Sequence, residues 1–192
     1  MTAAEILLMD QWTQILDREC PLHPEQRYPP LGSETLAIML AQPPFMRRFE
    51  GEPGAIAHDL ADLPGDLIAD IQTLGLRFAQ VMKVGSVRVR IERTDSNACR
   101  KDHADHTDVR LITTYAGVGS QWLEEGAMDR TQLGQANAEP QDARLIHQLG
   151  SGDVALLKGE KWHGNEGFGL IHRSPQPAPG ERRLLLTLEW LG

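Results

Sequence analysis

The spacing of hydrophobic residues changes near residue 85, and this change constrains the fold more than any other feature of the sequence. Before it, apolar residues recur at the spacing of an amphipathic helix. After it, the segment 87–92 reads Val-Arg-Val-Arg-Ile-Glu, the alternation of a strand with one buried face. The sequence therefore predicts a single domain with a helical N-terminal layer, residues 1–83, and a β-rich core, residues 84–192.

Two helices are predicted in the N-terminal layer. Ser33 is a suitable N-cap for a helix that begins at Glu34, and the prolines at positions 43 and 44 end this helix. A longer helical pattern runs from Leu60 to Met82, and Pro64 is a candidate break near its start.

Short segments bounded by Gly or Pro predict several strands in the β-rich core. These segments are 109–115, 145–149, 153–158, 169–172 and 182–190. The stretch 124–144 is polar and weakly patterned, which predicts a long loop. Many short strands with turn signals favour a sandwich or a barrel. We therefore expect a mainly β fold, a double-stranded β-helix of the jelly-roll or cupin type, covered by the helical layer.

The composition argues against a nucleic-acid surface. The 192 residues carry a formal net charge of −8 at pH 7, and no long basic run is present. The N-terminus lacks the features of a signal peptide, and no stretch is apolar enough for a membrane span. The two cysteines, Cys20 and Cys99, are best interpreted as reduced thiols. We expect a cytoplasmic protein that binds neither nucleic acid nor membranes.

Two remote segments supply the ligands of a 2-His-1-carboxylate metal site. His103 and Asp105 are two residues apart, so an extended segment points both side chains to the same side. His172 would join them from another strand. This ligand set suits Fe(II), but Zn is an alternative, and Cys99 is a candidate fourth ligand. The simpler alternatives are a solvated polar turn for the first pair and a core histidine for His172.

The sequence around His172 resembles the 2-oxoglutarate-dependent dioxygenases of the prolyl-hydroxylase type. In those enzymes a histidine, a proline-containing turn and a Gly-x-Arg or Gly-x-Lys motif recur at the spacing of His172, Gly180 and Arg182. The resemblance implies that the triad binds Fe(II), that 2-oxoglutarate is the cosubstrate and that Arg182 anchors its far carboxylate. Arg183 is the neighbouring candidate, because only one of two adjacent strand residues faces the barrel interior.

A wider set of motifs is similar to a bacterial family with no settled activity, domain of unknown function eighteen-twenty-six. It includes the segments 99–105, 110–115, 119–122, 153–160 and 172–175. Within it, Arg110 and Tyr115 lie one strand from the His-x-Asp segment and are candidates for lining the cosubstrate or substrate pocket. They are five residues apart, so a regular strand would turn only one of them inward.

Three functions are compatible with these patterns. The first is an Fe(II)/2-oxoglutarate-type oxygenase that acts on a small molecule or a side chain. The second is a zinc-binding or zinc-homeostasis protein, with Cys99 closing a tetrahedral site. The third is a cupin-like binding module without catalysis, because a fold alone does not determine activity.

Overall fold

Two antiparallel sheets make up most of the computed structural model, which describes residues 10–96, 101–135 and 139–191. In chain order, the strands of this part of the chain are β1 (Leu22–Glu25), β2 (Phe45–Gly51), β3 (Val87–Thr94), β4 (Val109–Ala116), β5 (Gln121–Leu123), β6 (Ile146–Gln148), β7 (Val154–Lys158), β8 (His172–Arg173) and β9 (Arg183–Trp190). The main sheet has six strands in the order β1-β7-β4-β9-β3-β2. The minor sheet has three strands in the order β6-β5-β8.

Three α-helices precede β3. They are α1 (Ser33–Ala41), α2 (Ile56–Asp59) and α3 (Gly65–Met82). Gly32 rather than Ser33 is the N-cap of α1, and no side chain caps it, so the predicted role of Ser33 is wrong. Pro64 is the N-cap of α3. A proline lacks the amide hydrogen that a helix interior needs, so α3 begins only after Pro64 although the helical pattern starts at Leu60.

The largest hydrophobic core lies between α3 and one side of the main sheet. Leu67, Ile71 and Phe78 of α3 are fully buried in it, together with Leu186 and Leu188 of β9. The expected helical layer over one sheet is therefore present. Burial of this apolar surface is the main force that holds the layer in place.

The first 83 residues also supply two strands that the sequence pattern does not predict. Strand β1 pairs with β7, and β2 pairs with β3 from Phe45 to Gly51, so each forms an edge of the main sheet. The description of residues 1–83 as purely helical is corrected accordingly.

The other side of the main sheet faces the minor sheet across a smaller core. Ile112, Ala155, Leu157 and Leu170 are buried there, and Trp122 of the minor sheet packs against them. Two facing antiparallel sheets confirm the predicted double-stranded β-helix. In the described part of 124–144 there is no strand, as expected for a loop. Among the described helices, none combines the length and the apolar character needed to cross a bilayer.

Candidate metal centre

A single antiparallel bridge joins the two segments that carry the predicted ligands. The backbone N–H of His103 donates to the carbonyl of His172 at 3.1 Å, and the N–H of His172 donates to the carbonyl of His103 at 2.9 Å. Strand β8 in turn pairs with β5 of the minor sheet. The fold therefore brings together residues that lie far apart in the sequence.

The three predicted ligands converge. One ligand atom each from His103, Asp105 and His172 lies within 4.8 Å of the other two. Nε2 of His172 is 3.4 Å from Oδ2 of Asp105, and Nε2 of His103 is 3.8 Å from Oδ1. Adjacent ligand atoms on an octahedral ion with bonds of about 2.1 Å are roughly 3 Å apart. A small inward shift would therefore accommodate an ion.

Backbone carbonyls orient both imidazoles. Nδ1 of His103 donates to the carbonyl of Lys101 at 2.9 Å, and Nδ1 of His172 donates to the carbonyl of Leu170 at 3.1 Å. Since a carbonyl only accepts, the proton of each neutral ring is on Nδ1 and the lone pair is on Nε2. Burial lowers the pKa of His172 to about 4, so this ring is neutral near pH 7, as a metal ligand must be.

An arginine holds the carboxylate of the triad in place. Nη1 of Arg110 donates to Oδ1 of Asp105 at 2.6 Å, and Nη2 donates to Glu189 at 3.1 Å. Oδ2 of Asp105 is buried and has no hydrogen-bond partner among the described residues. A buried carboxylate oxygen without a partner is costly. A cation between the two Nε2 atoms and this oxygen would remove the cost, so the residues fit a divalent metal.

Of the two candidate anchor arginines, the structure turns Arg183 toward the triad. Arg183 is 1% exposed and lines a narrow cavity between the sheets with His103 and His172. Its Nη2 donates to Oγ1 of Thr114 at 3.4 Å. Arg182 is exposed, and its Nη1 donates to the carbonyl of Leu40 at 2.8 Å. This placement corrects the preference for Arg182, because that side chain lies outside the cavity.

A glycine makes room for the buried arginine. Gly117, just after β4, has φ = 81°, and a Cβ built on it would lie 2.8 Å from Cγ of Arg183. Both the left-handed conformation and the close approach favour glycine at this position.

The two other predicted pocket residues, Arg110 and Tyr115, lie on opposite faces of the main sheet. Arg110 lines the cavity, whereas Tyr115 points to the helical side, where its hydroxyl donates to Asp70 at 2.7 Å. Burial, together with the Asp70 carboxylate, raises the pKa of Tyr115 well above its ordinary value, so the hydroxyl stays protonated. Cys99, the candidate fourth ligand, lies outside the described residues.

Some residues of the site were not predicted from the sequence. Glu189 and Thr114 are the partners of Arg110 and Arg183, and Arg173 reaches the cavity from β8 while paired with the buried Asp102 at 3.2 Å. The alternation in β9 carried a usable signal for Glu189, because it shares a face with Arg183. No pattern in the sequence indicates the partners that lie on other strands.

A comparison with protein families identifies the chain. A model described as a protein of unknown function (DUF1826) matches residues 32–189, most of the chain and all three residues of the triad. The chain belongs to the DUF1826 family. A comparison of this DUF1826 protein with curated proteins gives no match.

Solved structures share the fold at low sequence identity. A putative oxygenase from Shewanella oneidensis has a TM-score of 0.52 and 12% identity, over 98% of this chain and 86% of that chain. A full-length Neurospora crassa protein, in complex with alpha-KG and 5-formyluracil, has a TM-score of 0.51 and 11% identity, over 98% of this chain and 80% of that chain. A Pseudomonas putida prolyl-4-hydroxylase gives 0.48 and 13% identity, over 100% of both chains. The first two similarities show that the DUF1826 protein has the fold of these proteins.

Proposed function

We propose that this DUF1826 protein is an Fe(II)- and 2-oxoglutarate-dependent oxygenase that hydroxylates a small molecule or a side chain. The observation that carries the proposal is the convergence of one ligand atom each from His103, Asp105 and His172, with the unsatisfied Oδ2 of Asp105 3.4 Å from Nε2 of His172. Three protein ligands on one side of an ion leave the opposite side open for small molecules.

Each of the three side chains would bind the ion through one defined atom. His103 and His172 would each present Nε2, because their Nδ1 protons are bound to carbonyls. Asp105 would present Oδ2, because Arg110 already binds Oδ1. Partners of this kind orient the ligands and tune their affinity for the metal. When bound, Fe(II) and 2-oxoglutarate would supply the chemistry in which O₂ converts a substrate C–H bond to C–OH, with succinate and CO₂ released.

Arg183 is the residue that we assign to the far carboxylate of 2-oxoglutarate. Its guanidinium is buried in the cavity that His103 and His172 line. A planar guanidinium pairs with a carboxylate through two parallel hydrogen bonds, and such pairs are strong where water is excluded. The hydroxyl of Thr114, which already contacts Arg183, is placed to add a further hydrogen bond.

Zinc binding is the second candidate function. The same three side chains would serve zinc, and Cys99 in the segment just before His103 would close a tetrahedral site. The third candidate function, a cupin-like binding module without catalysis, would need neither iron nor zinc. A cytoplasmic location, inferred from sequence alone, is part of the proposal.

Anaerobic reconstitution of the full-length protein tests the proposal. We expect Fe(II) with 2-oxoglutarate to give a weak visible charge-transfer band, and the aerated sample to release succinate without added substrate. Tightly held zinc that is lost in Cys99→Ser, with no response to 2-oxoglutarate, would instead establish the zinc-binding alternative. Absence of any bound metal would contradict both.

A further inference from the structure

An arginine-rich groove continues from the metal-site cavity across the same face of the main sheet. It has a volume of about 260 Å³, and four arginines and two glutamates line it: Arg48, Arg88, Arg90, Arg110, Glu50 and Glu189. Arg90 and Arg110 also line the metal-site cavity, together with His103 and His172, so the two spaces adjoin. The lining of the groove thus contains two more arginines than glutamates, in a chain whose formal net charge is −8.

Part of this positive charge is neutralised by neighbouring side chains. Arg88 pairs with Glu50 at 2.6 Å and with Glu189 at 3.0 Å. Arg110 divides its guanidinium between Asp105 and Glu189. The two glutamates of the groove are therefore already occupied by these two arginines.

The other two arginines of the groove retain unused donors. Arg48 is exposed, and its guanidinium has no hydrogen bond or ion pair with the residues that the structure describes. Arg90 pairs with Glu92, but its Nε is buried and has no hydrogen-bond partner within the described ranges. Buried donors without partners are uncommon in folded proteins because each is costly.

These two arginines also oppose each other directly. In the register of β2 with β3, Arg48 pairs with Arg90. Like charges at directly opposed positions of an antiparallel pair destabilise the sheet. An anion bound between two guanidinium groups converts that repulsion into two attractions, since guanidinium is suited to phosphate and carboxylate oxygens.

We propose that the substrate of this site carries an anionic group, a phosphate or a carboxylate, and that Arg48 and Arg90 bind it. The assignment of this anion to the substrate rests on the proposed oxygenase function. The anion site is separate from Arg183: the groove meets β9 at Thr187, and four residues along a strand span about 13 Å. The reacting part of the substrate would then lie toward the triad.

Titration of the metal-free, full-length protein with inorganic phosphate and with acetate tests the anion site. We expect the side-chain Nε–Hε NMR signals of Arg48 and Arg90 to shift with at least one of the two ions. Arg48→Gln should weaken that binding at least about tenfold, because it removes charge-assisted hydrogen bonds. The stronger ligand of the two indicates whether the group is a phosphate or a carboxylate.

Arg47→Gln is the matched control. Arg47 is adjacent on β2 but pairs with Asp62, away from the groove. Unshifted Arg48 and Arg90 signals, or equal weakening by Arg47→Gln and Arg48→Gln, would overturn the proposal.

A second measurement uses the Fe(II)-loaded enzyme and addresses the substrate. Matched compounds with and without a phosphate or carboxylate are added, and succinate release is followed. Stimulation only by the anionic members supports the assignment, and equal stimulation by the neutral members overturns it. Because the titration needs neither metal nor turnover, failure of the oxygenase proposal is distinguishable from failure of the anion site.

Discussion

Two polar clusters on opposite faces of the main sheet, one around Tyr115 and one at the candidate metal site, differ in how completely their groups are paired. On the helical side, Arg27, Asp70 and Tyr115 form a closed network: Arg27 pairs with Asp70 at 2.7 Å, and the Tyr115 hydroxyl also donates to Asp70. On the cavity side, Oδ2 of Asp105 and Nε of Arg90 are buried without hydrogen-bond partners among the described residues.

This difference separates stability from function within one sheet. Strand β4 contributes to both faces by alternation, with Tyr115 on the helical side and Arg110 on the cavity side. Paired polar groups and apolar packing stabilise the fold on the first face. The unpaired groups of the second cluster lie beside the candidate metal site and the arginine-rich groove, so we propose that a metal ion and an anion from outside the chain pair with them.

Removal of a large side chain from the helical face should have the largest effect on stability. Phe78 is fully buried between α3 and the sheet. We expect Phe78→Ala to lower the free energy of unfolding by about 3–5 kcal/mol, measured by urea denaturation. Where the variant is still folded, its Fe(II) affinity should equal that of the wild type. A parallel loss of Fe(II) affinity under native conditions would show that the two faces are not independent.

Removal of a metal ligand should have the opposite effect, with a large loss of Fe(II) affinity and a small change in stability. His103 is only half-buried, so we expect His103→Ala to leave the unfolding free energy within about 1 kcal/mol. Its Fe(II) affinity should fall at least about 100-fold, more than loss of an outer partner usually costs. Titration calorimetry under anaerobic conditions measures this. The exposed His106, replaced by Ala, is the comparison, and an equal loss there would contradict the assignment.

The adjacent arginines provide a smaller but sharper contrast. Lysine retains the charge but not the planar fork, so Arg183→Lys should weaken 2-oxoglutarate binding roughly 10- to 100-fold. Arg182→Lys should have no measurable effect on that binding, because the side chain is exposed and bonded to the Leu40 carbonyl. A competition assay against 2-oxoglutarate measures the affinity of both variants for this cosubstrate. A larger effect of Arg182→Lys would mean that Arg182, not Arg183, binds the far carboxylate of 2-oxoglutarate.

The smallest expected effect is at Tyr115. Tyr115→Phe removes one buried hydrogen bond to Asp70, and we expect a loss of about 1–2 kcal/mol in unfolding free energy. Binding of Fe(II) and 2-oxoglutarate should be unchanged. A weaker affinity for 2-oxoglutarate in this variant would mean that Tyr115 belongs to the pocket after all.

Much of the fold was predictable because it follows from periodicity. The alternation at 87–92 and the helical pattern before Met82 correspond to β3 and α3. Strands β1 and β2 were missed, since each lies at a sheet edge where pairing rather than pattern decides the structure. The short β1 even contains Pro24, which is tolerated only at such positions.

The three candidate ligands could be predicted from the sequence, but most of the residues that contact them and line the cavity could not. The 2-His-1-carboxylate pattern, supported by the resemblance, indicated His103, Asp105 and His172, and strand parity required that only one of the two arginines face the interior. Which arginine it is depends on where β9 begins, and the sequence does not specify that to one residue. The bond from Arg110 to Glu189 joins positions 79 apart in the chain, and only the folded sheet brings them together.

A crystal structure with Mn(II), as a substitute for Fe(II), and 2-oxoglutarate bound anaerobically would test the metal centre most directly. We predict an anomalous peak at about 2.0–2.2 Å from Nε2 of His103, Nε2 of His172 and Oδ2 of Asp105. The far carboxylate of 2-oxoglutarate should lie against Arg183. An anomalous peak elsewhere, or none at these three atoms at saturating Mn(II), would contradict the proposed metal centre.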